Sequence, residues 1–120
     1  MVVDDGLALA PTARGFWPGD EWLAAESLLP ILVYEPSTSI RIEFWLPPGF
    51  APRRAKVRVD NWSAEVSILP DQATSVDIPL RSQSKGAVVN VEIEGAAPAP
   101  PPDVRIVGGI LAGIRRVVEI

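Results

Sequence analysis

Apolar and polar residues alternate with a period of two over most of the chain. Ser39 to Leu46, "SIRIEFWL", sets Ile40, Ile42, Phe44 and Leu46 on one face and Arg41, Glu43 and Trp45 on the other. Pro47, Pro48 and Gly49 then stop the strand. From Ala55 to Leu69 the alternation runs Ala55, Val57, Val59, breaks at Asn61-Trp62, and resumes at Ala64, Val66, Ile68. With Asn61 and Trp62 as the central residues of a tight hairpin, Val59 faces Ala64, Val57 faces Val66 and Ala55 faces Ile68. All six then share one face. Asn tolerates the left-handed backbone that such a turn requires, while Trp stands where Gly is usual, and a slightly longer loop also serves. Val76, Ile78 and Leu80 continue the pattern, and so do Val89, Val91 and Ile93 with Asn90, Glu92 and Glu94 opposite.

Three segments depart from it. "WLAAESLL" (22–29) is open between a helical turn and a strand; Pro30 limits it, and the surrounding alternation favours strand. "GAAPAPPPD" (95–103) holds four prolines in nine residues, so it predicts an extended loop without a ladder. "VRIVGGILAGIRRVVEI" (104–120) places Ile106, Ile110, Ile114 and Val117 on one helical face, yet its glycines and β-branched residues point to a strand with a Gly-marked bulge. About eight short strands with half-buried alternation predict an all-β, two-sheet antiparallel sandwich. It is expected as a single domain over 15–120, with 1–14 as an N-terminal arm or linker.

Thirteen prolines and nine glycines in 120 residues suit short strands joined by turns. Cysteine and histidine are both absent. Disulfides, thiolate nucleophiles and imidazole-based serine catalysis are therefore impossible within the chain, and the commonest zinc ligands are missing. No Asp-x-Asp-x-Asp run suggests a calcium loop, and no motif calls for a cofactor. The net charge of −4 argues against a nucleic-acid partner, which selects a basic stripe. Arg53-Arg54 and Arg115-Arg116 read as solvated pairs at a strand end or on an outer face. Neither "LLPILVY" (28–34) nor "IVGGILAGI" (106–114) approaches the roughly 20 apolar residues of a membrane span. The acidic opening "MVVDD" is unlike a secretory signal.

"GFWPGDEW" (15–22), "VRVDNW" (57–62) and "DVRIVGGILAGIRRV" (103–117) carry a resemblance. Their order and spacing resemble the small β-sandwich accessory domain attached to bacterial cell-surface polysaccharide glycosyltransferases. Gly15, Phe16, Glu21 and Trp22 match its first element. Val57, Val59 and Asn61 match its Val-x-Val-Asn-Gly hairpin, with Trp62 replacing the glycine. Asp103, Arg105 and Gly108 or Gly109 match its closing Asp-x-Arg-x-x-Gly strand. The Trp-Ser that follows the family's first motif is replaced by "AAES" (24–27). The resemblance implies a jelly-roll-like, carbohydrate-binding-like module with no catalysis of its own. It also implies a cytoplasmic location if the module is appended to a glycosyltransferase.

Sugars present apolar C–H faces to indoles and hydroxyls to carboxylates and amides. Trp17, Asp20, Glu21, Trp22, Trp45, Asn61 and Trp62 are thus the candidate sugar contacts. Each has a plainer alternative. Phe16 and Trp22 would plug one end of the core while Asp20 caps a turn. Trp45, facing away from Phe44, would be covered by another part of the chain, and Trp62 would fold back onto its sheet. Asp103 and Arg105, two apart on one strand face, are expected as a structural pair. Asp20, Glu21, Asp60 and Glu65 supply carboxylates, but no spacing sets two of them around a cleft as glycoside hydrolysis requires. Two readings follow: a non-catalytic glycan-recognition module, or a structural or protein-interaction domain whose exposed aromatics meet a partner or a second copy.

Overall fold

The computed structural model describes residues 1–81 and 84–118. They form β1 (Val2–Val3), β2 (Leu7–Leu9), β3 (Arg14–Phe16), β4 (Leu23–Val33), β5 (Ser39–Trp45), β6 (Arg53–Val59), β7 (Trp62–Ile68), β8 (Ala73–Pro79), β9 (Gly86–Glu94), β10 (Ala97–Pro98), β11 (Ile106–Val107) and β12 (Ile110–Val117), with no helix among them. One large sheet has the order β1-β12-β5-β8 and the other β2-β4-β9-β6-β7, with β3 also pairing β4, and β10 and β11 form a separate two-stranded ladder. Every pairing is antiparallel except β1 with β12. The inward residues of both sheets form one core, so the protein is an all-β sandwich.

The period-two pattern decides what lies inside. Ile40, Ile42, Phe44 and Leu46 are fully buried, while Arg41, Glu43 and Trp45 are half-exposed on the outer face. Burying each of the former stabilises the fold by roughly 1.5–3 kcal/mol. On that outer face Arg41 and Arg115 lie directly opposite one another. Their repulsion is offset by Asp77, which takes Arg41 Nε at 2.7 Å, and by Glu43, which accepts from Arg115 Nε.

Residues 1–14, expected as an arm, are woven into both sheets. Val2 and Val3 pair with Gly113 and Ile114, Leu7 to Leu9 pair with Ile31 to Val33, and Leu7 is a core residue. Residues 23–29 are strand, continuing through Pro30 to Val33, and Trp22 makes an isolated bridge to Ile110. The Pro30 carbonyl accepts from the Ala10 amide at 2.9 Å. In an antiparallel strand a residue's nitrogen and carbonyl point to the same side. The missing N–H therefore faces the gap between β2 and β3, where no ladder bond requires a donor.

The β6–β7 hairpin keeps the expected faces but not the expected register. Val59 pairs with Trp62, Val57 with Ala64, Ala55 with Val66 and Arg53 with Ile68. Asp60 and Asn61 make the turn, and the positive φ falls on Asp60 (50°). A shift of two residues preserves every side-chain face. It also moves the Trp62 indole from the tip onto the core-facing side of β7, where it packs against the core, and leaves the left-handed position to an Asp, which tolerates it.

The proline segment does form a ladder, of two residues. Ala97 pairs with Val107 and Pro98 with Ile106, and the Ala99 amide reaches the Arg105 carbonyl at 2.9 Å. Pro98 lacks a donor, but the neighbouring Ala99 supplies one. Within 104–118, Ile106–Val107 and Ile110–Val117 are strand, with Gly108 and Gly109 between them and a register shift between Leu111 and Gly113; Glu119 and Ile120, the end of the 104–120 reading, lie outside the described residues. Arg53 is not solvated. It shares the inward face of β6 with Ala55 and Val57, is 6% exposed, and donates from Nε to the Gly108 carbonyl at 3.2 Å. Arg54, one residue on, is exposed.

Candidate functional site

"GFWPGDEW" folds into a corner. The Glu21 amide donates to the Trp17 carbonyl (2.8 Å) and the Trp17 amide to that of Trp22 (3.0 Å), with positive φ at Gly19 and Glu21 closing the loop. The corner docks onto the glycine pair: Leu23 donates to the Gly109 carbonyl and Gly108 to that of Leu23, both at 2.7 Å. Trp22 is 9% exposed and tilts at 42° against Phe50, with ring centroids 5.4 Å apart. It belongs to the buried core.

The polar groups of this corner are already engaged. Arg105 donates to both oxygens of Asp103 (3.0 Å from Nε to each) and from Nη1 to Asp20 (3.1 Å). Its Cζ lies 5.0 Å from the Trp17 ring centroid. The Arg105 hydrogen bond holds the Asp103 carboxyl down at about 2 and lowers Asp20 as well, while Asp103 and Asp20 together raise Arg105. Glu21 accepts from the Met1 α-amino group at 2.8 Å. Trp45 is half-buried on the outer face of β5, with Ile110 and Ala73 as its cross-strand partners.

Asn61 and Trp62 lie at the opposite end of the sandwich. Arg53, beside Phe50 and Gly108, starts β6, and Val59, opposite Trp62, ends it. Six steps of ~3.3 Å separate the two ends by about 20 Å. The seven candidate contacts therefore do not converge on one ligand.

At the Trp62 end an open groove of about 400 Å3 is bounded by Asp60, Asn61, Trp62, Leu80, Arg81 and Ser84, among others. Among the described residues, Asp60, Asn61 and Arg81 make no side-chain hydrogen bond or ion pair. An indole wall thus stands beside a carboxylate, an amide and a guanidinium that have no side-chain partner among the described residues. Sequence reasoning singled out Asn61 and Trp62 but missed Leu80, Arg81 and Ser84, because the return of β8 beside the β6–β7 turn is a tertiary relationship with no local signature.

Of the four carboxylates considered for hydrolysis, Asp20 and Glu21 are held by cations, and Glu65 lies 3.9 Å from Arg54. Asp60 is alone of these four in the Trp62 groove. Among the described residues no group of three or more acidic side chains is placed to hold a metal ion. Among the described residues no helix is long and apolar enough to cross a membrane. Compared with protein families, curated proteins and solved structures, the chain finds no match.

Proposed function

We propose that the protein is a non-catalytic carbohydrate-binding module whose ligand site is the Trp62 groove. One observation carries this: an indole anchored on the core borders an open groove together with polar side chains that have no partner among the described residues. Sugar C–H faces stack on such rings, and hydroxyls pair with carboxylate and amide groups. The volume lies within the range of ligand sites, ~300–1,000 Å3. The Trp17–Trp22 corner is the weaker candidate, since Arg105 occupies the Trp17 ring face and Asp20, and the Met1 amino group occupies Glu21. The resemblance to glycosyltransferase accessory domains, jelly-roll-like in wiring, adds that the module is appended to a glycan-handling enzyme.

Tryptophan fluorescence titrated with a panel of bacterial surface sugars tests this. A saturable shift is expected in the wild type and in Trp17→Phe, and none in Trp62→Phe. A shift that survives in Trp62→Phe, or no shift with any sugar, overturns the proposal.

A specific observation favours a second reading, that of an interaction domain. Pro30, Leu32 and Val88 share the outer face of the β4–β9 ladder, with Leu32 39% and Val88 51% exposed. On this reading the solution mass rises with concentration and fluorescence is indifferent to sugars.

A further inference from the structure

A second hollow adjoins the Trp62 groove at the same end of the sandwich. It measures about 690 Å3 and is bounded by Tyr34, Pro36, Thr38, Leu80, Lys85 and Val118, among others. Leu80 and Ser84 border both hollows, so the two are contiguous. Tyr34 is 68% exposed. Chain geometry places it there: the Val33 amide donates to the Lys85 carbonyl and the Tyr34 amide to that of Gly6. The combined furrow thus offers one aromatic ring in each half, Trp62 and Tyr34.

Its charge is distinctive. The chain carries −4 overall and eleven Lys and Arg residues. Arg41, Arg54, Arg58, Arg105, Arg115 and Arg116 are tied to carboxylates. Arg81 and Lys85 form no ion pair among the described residues, and each lines one of the two hollows. Glu35, the acid beside Tyr34, is taken by Arg116 at 2.9 Å. Among the described residues Asp60 is the one acid bordering the furrow without an ion pair, against two such cations, Arg81 and Lys85.

Building on the glycan reading of the Trp62 groove, we infer that the two hollows form one furrow for a linear, negatively charged oligosaccharide of two or more units. Trp62 and Tyr34 stack on sugar units at its two ends. Arg81 and Lys85 pair with the acid groups between them, and Asp60 and Asn61 bond hydroxyls beside Trp62. Free carboxylate, sulfate and phosphate on a sugar share this chemistry, so the test carries each as a separate arm.

The test is isothermal titration of the full chain with size-graded oligouronates, sulfated oligosaccharides, sugar phosphates and neutral oligosaccharides, at low and high salt. Two exposed ion pairs lead to binding roughly 2- to 10-fold tighter for the acidic chain than for a neutral chain of equal length. Salt closes that gap, and so does the double variant Arg81→Met, Lys85→Met. Tyr34→Ala weakens long chains and leaves monosaccharide binding at Trp62 intact. All three positions are exposed, and circular dichroism reports whether each variant keeps its sheet signal. Equal affinity for acidic and neutral chains, or long-chain binding indifferent to Tyr34→Ala, overturns the furrow while leaving the Trp62 site standing. Absence of binding to every sugar removes both.

Discussion

The guanidinium of Arg105 lies 5.0 Å from the ring centroid of Trp17 and ties together Asp103 on its own segment and Asp20 in the N-terminal corner. A stretch that in isolation offers an aromatic platform with two acids is thereby converted into a clasp. It joins residues 15–22 to the segment that follows the proline loop.

The clasp has an acid limit. Asp103 titrates at about 2 in the folded protein because Arg105 donates to it, against ~3.9 for an ordinary aspartate. A depressed folded value adds stability that is complete above about pH 4 and is lost as pH falls through about 2. Urea midpoints measured from pH 2 to pH 7 are expected to fall across that window. In Asp103→Asn the fall should be shallower there. An identical pH profile in the two proteins would show that the pair contributes nothing.

Gly15 and Gly19 both have positive φ, 69° and 105°, but only Gly15 is crowded. A Cβ at Gly15 would sit 2.2 Å from the Glu26 carbonyl oxygen, whereas one at Gly19 meets nothing within 4 Å. Gly19→Ala should cost about 1–2 kcal/mol, the left-handed backbone penalty alone. Gly15→Ala should cost well beyond that, because β3 must separate from β4. Comparable denaturation midpoints for the two variants would contradict the close approach.

Phe44 is the largest fully buried side chain, on the β5 strand that sits between β12 and β8. Phe44→Ala is expected to lower stability by about 3–5 kcal/mol. Trp45→Ala, one position along and on the outer face, should cost distinctly less. Equal losses in chemical denaturation would mean that the two faces are not what the alternation makes them.

Arg53 is buried with one carbonyl acceptor, the Phe50 ring 6.0 Å away and, among the described residues, no carboxylate partner. Burial pushes its pKa below the ordinary arginine value. An apolar side chain of similar length removes the desolvated charge and keeps the packing. Arg53→Met is therefore expected within about 1 kcal/mol of the wild type, or above it. Arg53→Ala should fall by roughly 1–3 kcal/mol through lost packing. A Met variant as unstable as the Ala variant would assign the stability to the charge itself.

The site was legible only in part. Trp62 and Asn61 stood out by their place between two alternating runs, and both border the groove. Trp17, Asp20, Glu21 and Trp22 stood out for the same local reason. Their engagement by Arg105, Met1 and Phe50 is invisible in sequence, because those partners arrive from 20 to 88 positions away. Tyr34, Arg81 and Lys85 gave no signal, since nothing in a strand's end shows which other strand's end will lie beside it.

Side-chain alternation along single strands was enough to fix the all-β class and to sort Ile40, Ile42 and Phe44 from Arg41 and Glu43. That sorting is local, since successive residues of any extended chain point to opposite sides. Pairing between strands was left to the tertiary structure. Only there did the hairpin settle on Asp60-Asn61, Pro30 find a gap needing no donor, and residues 1–14 take places in both sheets. Registers two residues apart bury the same faces, so backbone donors, turn strain and the filling of a shared core made the choice.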